Sequence, residues 1–219
     1  MKNISLIAFL LFTNFIFAQT AIGAFSTREY HNVENLYYSE YTNEVTGDLY
    51  LFEDWKKCVV NTNLKEDGLT LNLVCNYNLF TDQFEMKIDN EIHYLKKENI
   101  VSIWNGQNFF KPVSNGEEEE TRNYLELLAT GNKFDLATVH YLKIKDVPNK
   151  KALGIFKKRI SKHNKLFLVD KTTGELMEIP KSQRKIYKLL DLNKDEIKKI
   201  PGNIKRTENL IEAVELAGI

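Results

Sequence analysis

The chain has 219 residues, 30 basic and 30 acidic side chains, and a hydrophobic share of 43%. This composition is typical of a globular protein and excludes the collagen-like, coiled-coil and wholly disordered classes. Two cysteines are too few for a disulfide-dense miniprotein. The balanced charge, together with the predicted export described next, argues against a nucleic-acid partner.

The first 18 residues have the pattern of a secretory signal peptide. Lys2 supplies a positive start, residues 4–17 form an apolar-dominated run, and Ala18 is the small residue at the predicted cleavage site. A run this short does not span a bilayer comfortably, which takes about 20 residues. The sequence therefore predicts a secreted or periplasmic protein cleaved after Ala18, the alternative being an uncleaved amino-terminal anchor.

Residues 19–46 are polar and predict an irregular segment, whereas residues 47–179 show the short alternating runs that favour β-strands. The predicted strands and hairpins cover residues 49–52, 84–94, 99–104, 108–111, 124–129, 133–145, 153–160 and 166–169. About ten short strands joined by tight polar turns favour an antiparallel sheet, curved or partly closed, over βαβ units.

Residues 180–219 change to helical spacing and predict three short helices. Asn193, followed three residues later by Glu196, predicts a capping box for the second helix, and Thr207 is predicted to cap the third. Helices this short need support, so we expect them to pack on the sheet or on a partner. The predicted fold class is α+β: a curved antiparallel β-sheet or partial barrel with a small C-terminal three-helix cap.

Cys58 and Cys75 flank a predicted hairpin. If residues 65–68 form a four-residue loop, Cys58 lies opposite Cys75 and both point to the same apolar face. Directly opposed residues have Cβ atoms about 4.5–5.5 Å apart, close to disulfide reach. An oxidising compartment favours the bond. The sequence predicts a Cys58–Cys75 disulfide, with a pair of buried thiols as the alternative.

Residues 76–85, together with Trp55, combine aromatic rings with amides and carboxylates. This composition is typical of a sugar or peptide contact surface. The candidate binding residues are Trp55, Tyr77, Asp82 and Glu85. The alternative is a turn whose asparagines and aspartate satisfy backbone groups while Tyr77 and Phe84 enter the core.

The sequence names no catalytic residue, no metal site and no cofactor. Its four histidines are scattered without metal-ligand spacing, and no nucleophile elbow or phosphate-binding glycine loop is present. His140 alone falls on a predicted apolar face, where a hydrogen-bonded core histidine is the usual interpretation.

Charge is divided along the chain: residues 19–131 carry 9 basic and 19 acidic side chains, and residues 132–219 carry 20 and 11. Residues 143–165 contain nine basic residues and one acid, Asp146. This basic ridge predicts contact with an anionic membrane or cell-wall surface. The alternative is a solvated face that docks against the acidic half of the same fold.

Residues 47–55, residues 76–78 with 82–85, and the lysine-rich tail of residues 181–217 resemble an uncharacterised family of secreted proteins from Bacteroidota. The resemblance covers about residues 47–218 and implies export, but no activity, cofactor or catalytic residue.

The expected function is therefore a non-enzymatic binding or scaffold module of the cell envelope, whose partner is an unknown envelope component. The second hypothesis is a carrier or chaperone for a small apolar ligand such as a lipid, held in the concavity of the sheet beneath the helices. The third, a hydrolase, requires His140 or His93 to meet an acid or a nucleophile in a pocket.

Overall fold

The structure, a computed structural model, describes residues 25–27, 45–65, 67–89, 91–113, 124–150 and 155–217. The predicted signal peptide and most of the predicted irregular segment of residues 19–46 lie outside the described residues.

In the described part of the chain, twelve strands form one sheet, followed by three helices. The strands are β1 (Phe25–Thr27), β2 (Val45–Thr46), β3 (Lys56–Thr62), β4 (Leu69–Asn78), β5 (Gln83–Ile88), β6 (Glu91–Leu95), β7 (Ile100–Trp104), β8 (Phe109–Pro112), β9 (Tyr124–Thr130), β10 (Phe134–Lys150), β11 (Ile155–Asp170) and β12 (Leu176–Glu178). A 3-10 helix (Lys97–Asn99) precedes β7, and the helices are α1 (Gln183–Leu189), α2 (Lys194–Lys199) and α3 (Thr207–Leu216). The strand order is β1-β6-β5-β4-β3-β7-β8-β9-β10-β11-β12, and β2 pairs with β11.

The sheet is strongly curved. β5 and β9 are five strand-to-strand steps apart in this order, which would separate them by about 24 Å in a flat sheet. The ring centroids of Phe84 in β5 and Tyr124 in β9 are nevertheless only 5.0 Å apart. Among the described strands β1 and β12 do not pair with each other, so the sheet curls without closing. The predicted curved antiparallel sheet is confirmed.

Two of the predicted strands are wrong. Residues 49–52 do not form a strand, because this segment makes a single bridge, between Tyr50 and Asn78, before it bends away towards β3. Residues 153–160 and 166–169 were predicted as separate strands, but β11 runs through both. The polar residues between them continue the pairing with β10 because one face of this hairpin is open to solvent.

The segment that precedes β3 ties two distant parts of the sheet together. β2 runs parallel to β11, and Gly47 then passes so close to Ile160 that a Cβ atom there would lie 2.8 Å from the Ile160 Cβ atom. Four residues further on, the Leu51 amide donates a hydrogen bond of 2.8 Å to the Tyr77 carbonyl of β4. The chain therefore crosses from β11 to β4 before it enters the sheet.

Two cores fill the concave side of the sheet. The first is built on aromatic rings of β4, β5, β8 and β9: Tyr77, Phe84, Phe110 and Tyr124. The second joins β9, β10 and β11 to the helical cap, through Leu136, Leu168, Ile186, Leu210 and Val214, each at most 1% exposed. The three-helix cap therefore packs on the sheet, as predicted.

One of the two predicted helix caps is confirmed. The Asn193 side chain accepts hydrogen bonds from the Asp195 and Glu196 amides, and Glu196 accepts one from the Asn193 amide, so the capping box of α2 is confirmed. Thr207 does not cap α3: it is the first helical residue, and Arg206 stands at the cap position without a side-chain cap bond.

Cys58 and Cys75 form a disulfide, with Cα atoms 6.0 Å apart. The predicted register of this hairpin is wrong by two residues, because Thr62 pairs with Leu69 and Cys58 lies opposite Leu73. The loop is thus longer than the predicted four residues, and the cysteines are diagonal neighbours. A two-residue shift keeps every side chain on its own face, so the bond forms in either register. The disulfide indicates an oxidising, extracytoplasmic environment.

Candidate functional site

The predicted contact residues Tyr77 and Asp82 lie at the end of β4 and in the turn that follows it. Tyr77 is 1% exposed and stacks on Phe84 with ring centroids 4.8 Å apart. Its hydroxyl donates a hydrogen bond to Asp82. Asn78 closes the turn by accepting hydrogen bonds from the Phe80 and Thr81 amides. This arrangement agrees with the interpretation of residues 76–85 as a turn that satisfies backbone groups.

Glu85 is fully buried although it carries a carboxyl group, and its neighbours in β5, Phe84 and Met86, are buried as well. Its carboxylate accepts hydrogen bonds from the Tyr50 hydroxyl at 2.7 Å and from the Asn78 side-chain amide at 2.9 Å. Because a buried carboxylate is costly without such partners, this network holds the segment before β3 against β4 and β5.

Trp55 is half-buried, as is Asp82, whereas Tyr77 and Glu85 are buried. Its ring lies 5.6 Å from the Tyr50 ring, and the Lys87 ammonium lies 4.6 Å above it. The structure therefore brings Trp55 and Glu85 together through Tyr50, while Tyr77 and Asp82 form a separate pair. Their role in ligand contact stays a prediction. Sequence reasoning missed Tyr50, which was assigned to a strand that does not form.

His140 does meet an acid. Its Nε2 lies 2.5 Å from Glu126 Oε2 of β9, and the other carboxylate oxygen accepts a hydrogen bond from the Asn108 amide. The imidazole and the carboxylate share this hydrogen bond. No hydroxyl or thiol of the described chain hydrogen-bonds to His140. The arrangement lacks a nucleophile and ties β9, β10 and the turn before β8 together.

A small cleft of about 250 Å³ lies on the face of the sheet opposite the helical cap. Its apolar wall is formed by Leu125, Leu127, Ala137 and Val169. Asp135 lies at its rim with one buried carboxylate oxygen that makes no hydrogen bond. The cleft therefore lies on the other face of the sheet from the concavity beneath the helices in which the carrier hypothesis places a ligand.

The basic ridge lies on a projecting two-stranded arm, which comprises residues 139–150 of β10 and 155–165 of β11. β9 pairs with β10 only as far as Thr138, and β12 pairs with β11 only from Phe167 onward. Beyond those points the described arm is paired with itself and, at two residues, with β2. The basic ridge therefore lies on a hairpin that β9 and β12 do not flank, although Leu142 still packs against the first core.

The register of the arm sorts its side chains into two faces. Leu142 and Ile144 point to the side of the first core, against which Leu142 packs, and Ile160 on the same side is buried. The opposite face, which we call the basic face, carries Tyr141, Lys143, Lys145, Arg159, Ser161 and His163. Lys145 lies directly opposite Arg159, and Tyr141 stacks on His163 with centroids 5.8 Å apart.

Two lysines of the described arm form ion pairs, one on each face of the hairpin. Lys162, on the core side, bonds to Asp48 at 2.7 Å. Lys165, at the base of the arm, donates a hydrogen bond to Glu178, which lowers the pKa of that carboxyl group below its usual value. Lys143, Lys145 and Arg159 are exposed and form no ion pair with a described residue. The basic face therefore presents three cations that have no ion-pair partner among the described residues.

Within the described residues, none of the helices is long and apolar enough to cross a bilayer. The same residues contain no group of three or more His, Cys, Asp or Glu side chains placed to hold a metal ion. Comparisons with known protein families, with curated proteins and with solved structures find no match. The resemblance to secreted proteins of Bacteroidota stays a prediction.

Proposed function

We propose that this protein is an exported, non-enzymatic binding module of the cell envelope, and that the arm is its binding surface. The observation that carries this proposal is the projection of the arm. Two strands of 17 and 16 residues extend well beyond the strands on either side. The mean strand of a globular protein has about 5–6 residues.

Most of the arm is not required by either core. On its core side Leu142 reaches the first core and Ile160 is buried, whereas Ile144 is 39% exposed. A long ribbon with an exposed outer face gives little stability in return for the conformational entropy lost when it is ordered. Contact with a partner accounts for such a ribbon, and the disulfide agrees with a partner outside the cytoplasm.

The first experiment is sedimentation of the purified mature protein with washed envelope fragments of a bacterial host. The shortened variant replaces residues 145–159 with Asn-Gly. Since Ile144 and Ile160 are directly opposite, a two-residue turn joins them without a change of register. We expect the wild type to sediment with the fragments and the shortened variant to stay in solution while keeping its disulfide and a cooperative thermal unfolding transition. Equal sedimentation of the two proteins would refute the arm as the binding surface.

Mass spectrometry tests the remaining parts of the proposal. The denatured mass should correspond to cleavage after Ala18 and should be two daltons lower than that of the reduced chain. Under native conditions we expect the mass of the bare chain. Additional mass that disappears on denaturation would replace the binding module with a carrier of a small ligand.

A further inference from the structure

The basic face points to a specific class of partner. We propose that it docks on the phosphate groups of anionic lipids at a membrane surface. This inference rests on the proposed function and deepens it, because it assigns the residues of the arm that bind and the chemistry that they recognise.

The first argument is electrostatic. Lys145 and Arg159 are directly opposed across the arm, and Lys143 follows two residues along β10 on the same face. Opposed side chains are about 5 Å apart at Cβ, and positions two apart on a strand are separated by about 7 Å. Like charges at such positions destabilise a strand pair. Anionic groups that approach this face relieve that repulsion, so the arm gains order as well as affinity when it binds.

The charges around the basic face leave it available. The Glu178 carboxylate at its base already accepts a hydrogen bond from Lys165, and Asp48 bonds to Lys162 on the other side of the arm. The Lys143 ammonium lies 5.7 Å from the centre of the Tyr141 ring, a contact that orients the cation without neutralising it.

The composition along this face favours a lipid surface over a soluble polyanion. Moving from the sheet outwards, the same face presents the half-buried aromatic side chain of Phe167, then the stacked Tyr141–His163 pair, then the exposed cations. Amphipathic aromatic rings are enriched at the level of lipid headgroups. A ribbon two strands wide offers no groove to enclose a polymer chain.

The test uses the full mature protein and lipid vesicles of two compositions, pure phosphatidylcholine and phosphatidylcholine with 30% phosphatidylglycerol. The arm variant carries Lys143→Gln, Lys145→Gln and Arg159→Gln. The control variant carries Lys185→Gln, Lys188→Gln and Lys199→Gln, which remove the same charge from exposed positions of the helical cap. Circular dichroism and the melting temperature verify that both variants are folded.

We expect the wild type to bind the anionic vesicles and not to bind the neutral ones. Each cation at an anionic surface contributes about a fivefold gain in affinity, so the arm variant should bind roughly 100-fold more weakly. The control variant should stay within about threefold of the wild type. Raising the salt concentration should weaken the wild type much more than the arm variant.

Four results would overturn the inference. Equal losses in the arm and control variants would show a general charge effect rather than a docking face. Tighter binding to soluble polyphosphate than to vesicles, at equal phosphate concentration, would make the partner a polymer. Binding to envelope fragments without binding to anionic vesicles would exclude lipid and leave the proposed function intact. Loss of binding to both would remove the proposed function as well.

Discussion

Replacing Tyr124 with phenylalanine is expected to raise the free energy of unfolding, because the hydroxyl group of this residue is buried without a hydrogen-bond partner among the described residues. The side chain is 2% exposed and its ring lies 5.0 Å from Phe84 and 5.7 Å from Tyr77. Phenylalanine keeps these ring contacts and removes only the unsatisfied oxygen.

The size of the effect follows from the desolvation of that oxygen. An unpaired buried polar group costs about 1–3 kcal/mol, so we expect Tyr124→Phe to gain about 1–2 kcal/mol. For a chain of this length that corresponds to a rise in melting temperature of roughly 2–8 °C. Tyr77 provides a matched control in the same aromatic cluster. Tyr77→Phe loses the hydrogen bond to Asp82 and should lower the free energy of unfolding by about 1–2 kcal/mol.

The stability of the protein at alkaline pH tests the same reasoning a second time. Burial raises the pKa of Tyr124 far above its ordinary value, and the negative charges of Asp82 and Glu98 raise it further. The folded protein therefore holds this proton more tightly than the unfolded chain. Its contribution to stability is complete below about pH 10, where the unfolded residue titrates, and declines as the pH rises above that value. Tyr124→Phe should lose less stability than the wild type between about pH 10 and 11.

The free energy of unfolding of all three proteins is measured by urea denaturation, monitored by circular dichroism. The disulfide is kept oxidised so that the three unfolded chains are comparable. The predicted order of midpoints is Tyr124→Phe above wild type and wild type above Tyr77→Phe. A Tyr124→Phe variant that is about 1 kcal/mol less stable than the wild type would refute the argument, because its hydroxyl would then have to make a stabilising hydrogen bond.

Three further substitutions test the ties described above. The double substitution Cys58→Ala and Cys75→Ala should lower the free energy of unfolding by about 3 kcal/mol. Adding a reductant should lower the free energy of unfolding of the wild type by a similar amount. A smaller change would mean that the unfolded chain is already compact. Gly47→Ala should cost about 2–3 kcal/mol, because φ is +136° and the new Cβ meets Ile160; an unchanged melting temperature would contradict the close approach. Asn193→Ala should cost about 1 kcal/mol through loss of the capping box, and Asn193→Ser should restore most of it in the same denaturation assay.

The strands and turns were predictable where neighbouring residues in the sequence determine the local structure. Alternation of apolar and charged residues located the β5–β6 hairpin, and the spacing of Asn193 and Glu196 located the start of α2. The register of the β3–β4 hairpin was not predictable, because a shift of two residues leaves the same side chains on the apolar face. Only the loop geometry and the neighbouring strand decide between the two registers.

The candidate site was predictable in composition and not in arrangement. The count of lysines identified the basic ridge, but its division into two faces depends on the partner strand, which pairs Lys145 with Arg159 and places Lys162 on the other side. The burial of Glu85 was missed for a similar reason. Its hydrogen-bond partner Tyr50 is 35 residues away in the chain, so no local pattern reports it.

The strand order has a consequence for how the chain folds. β3 to β6 and β7 to β12 are two runs in which each strand pairs with its neighbour in sequence, and the β3–β7 pairing alone joins one run to the other within the sheet. Each run closes only short loops, whereas the junction brings together segments about 40 residues apart. The disulfide lies within the first run, and the aromatic core packs rings of β4 and β5 against rings of β8 and β9 in the second. Reduction should accelerate amide hydrogen exchange in β3 and β4 while β10 and β11 keep their protection; uniform acceleration would instead mean that the junction makes the whole sheet a single unit.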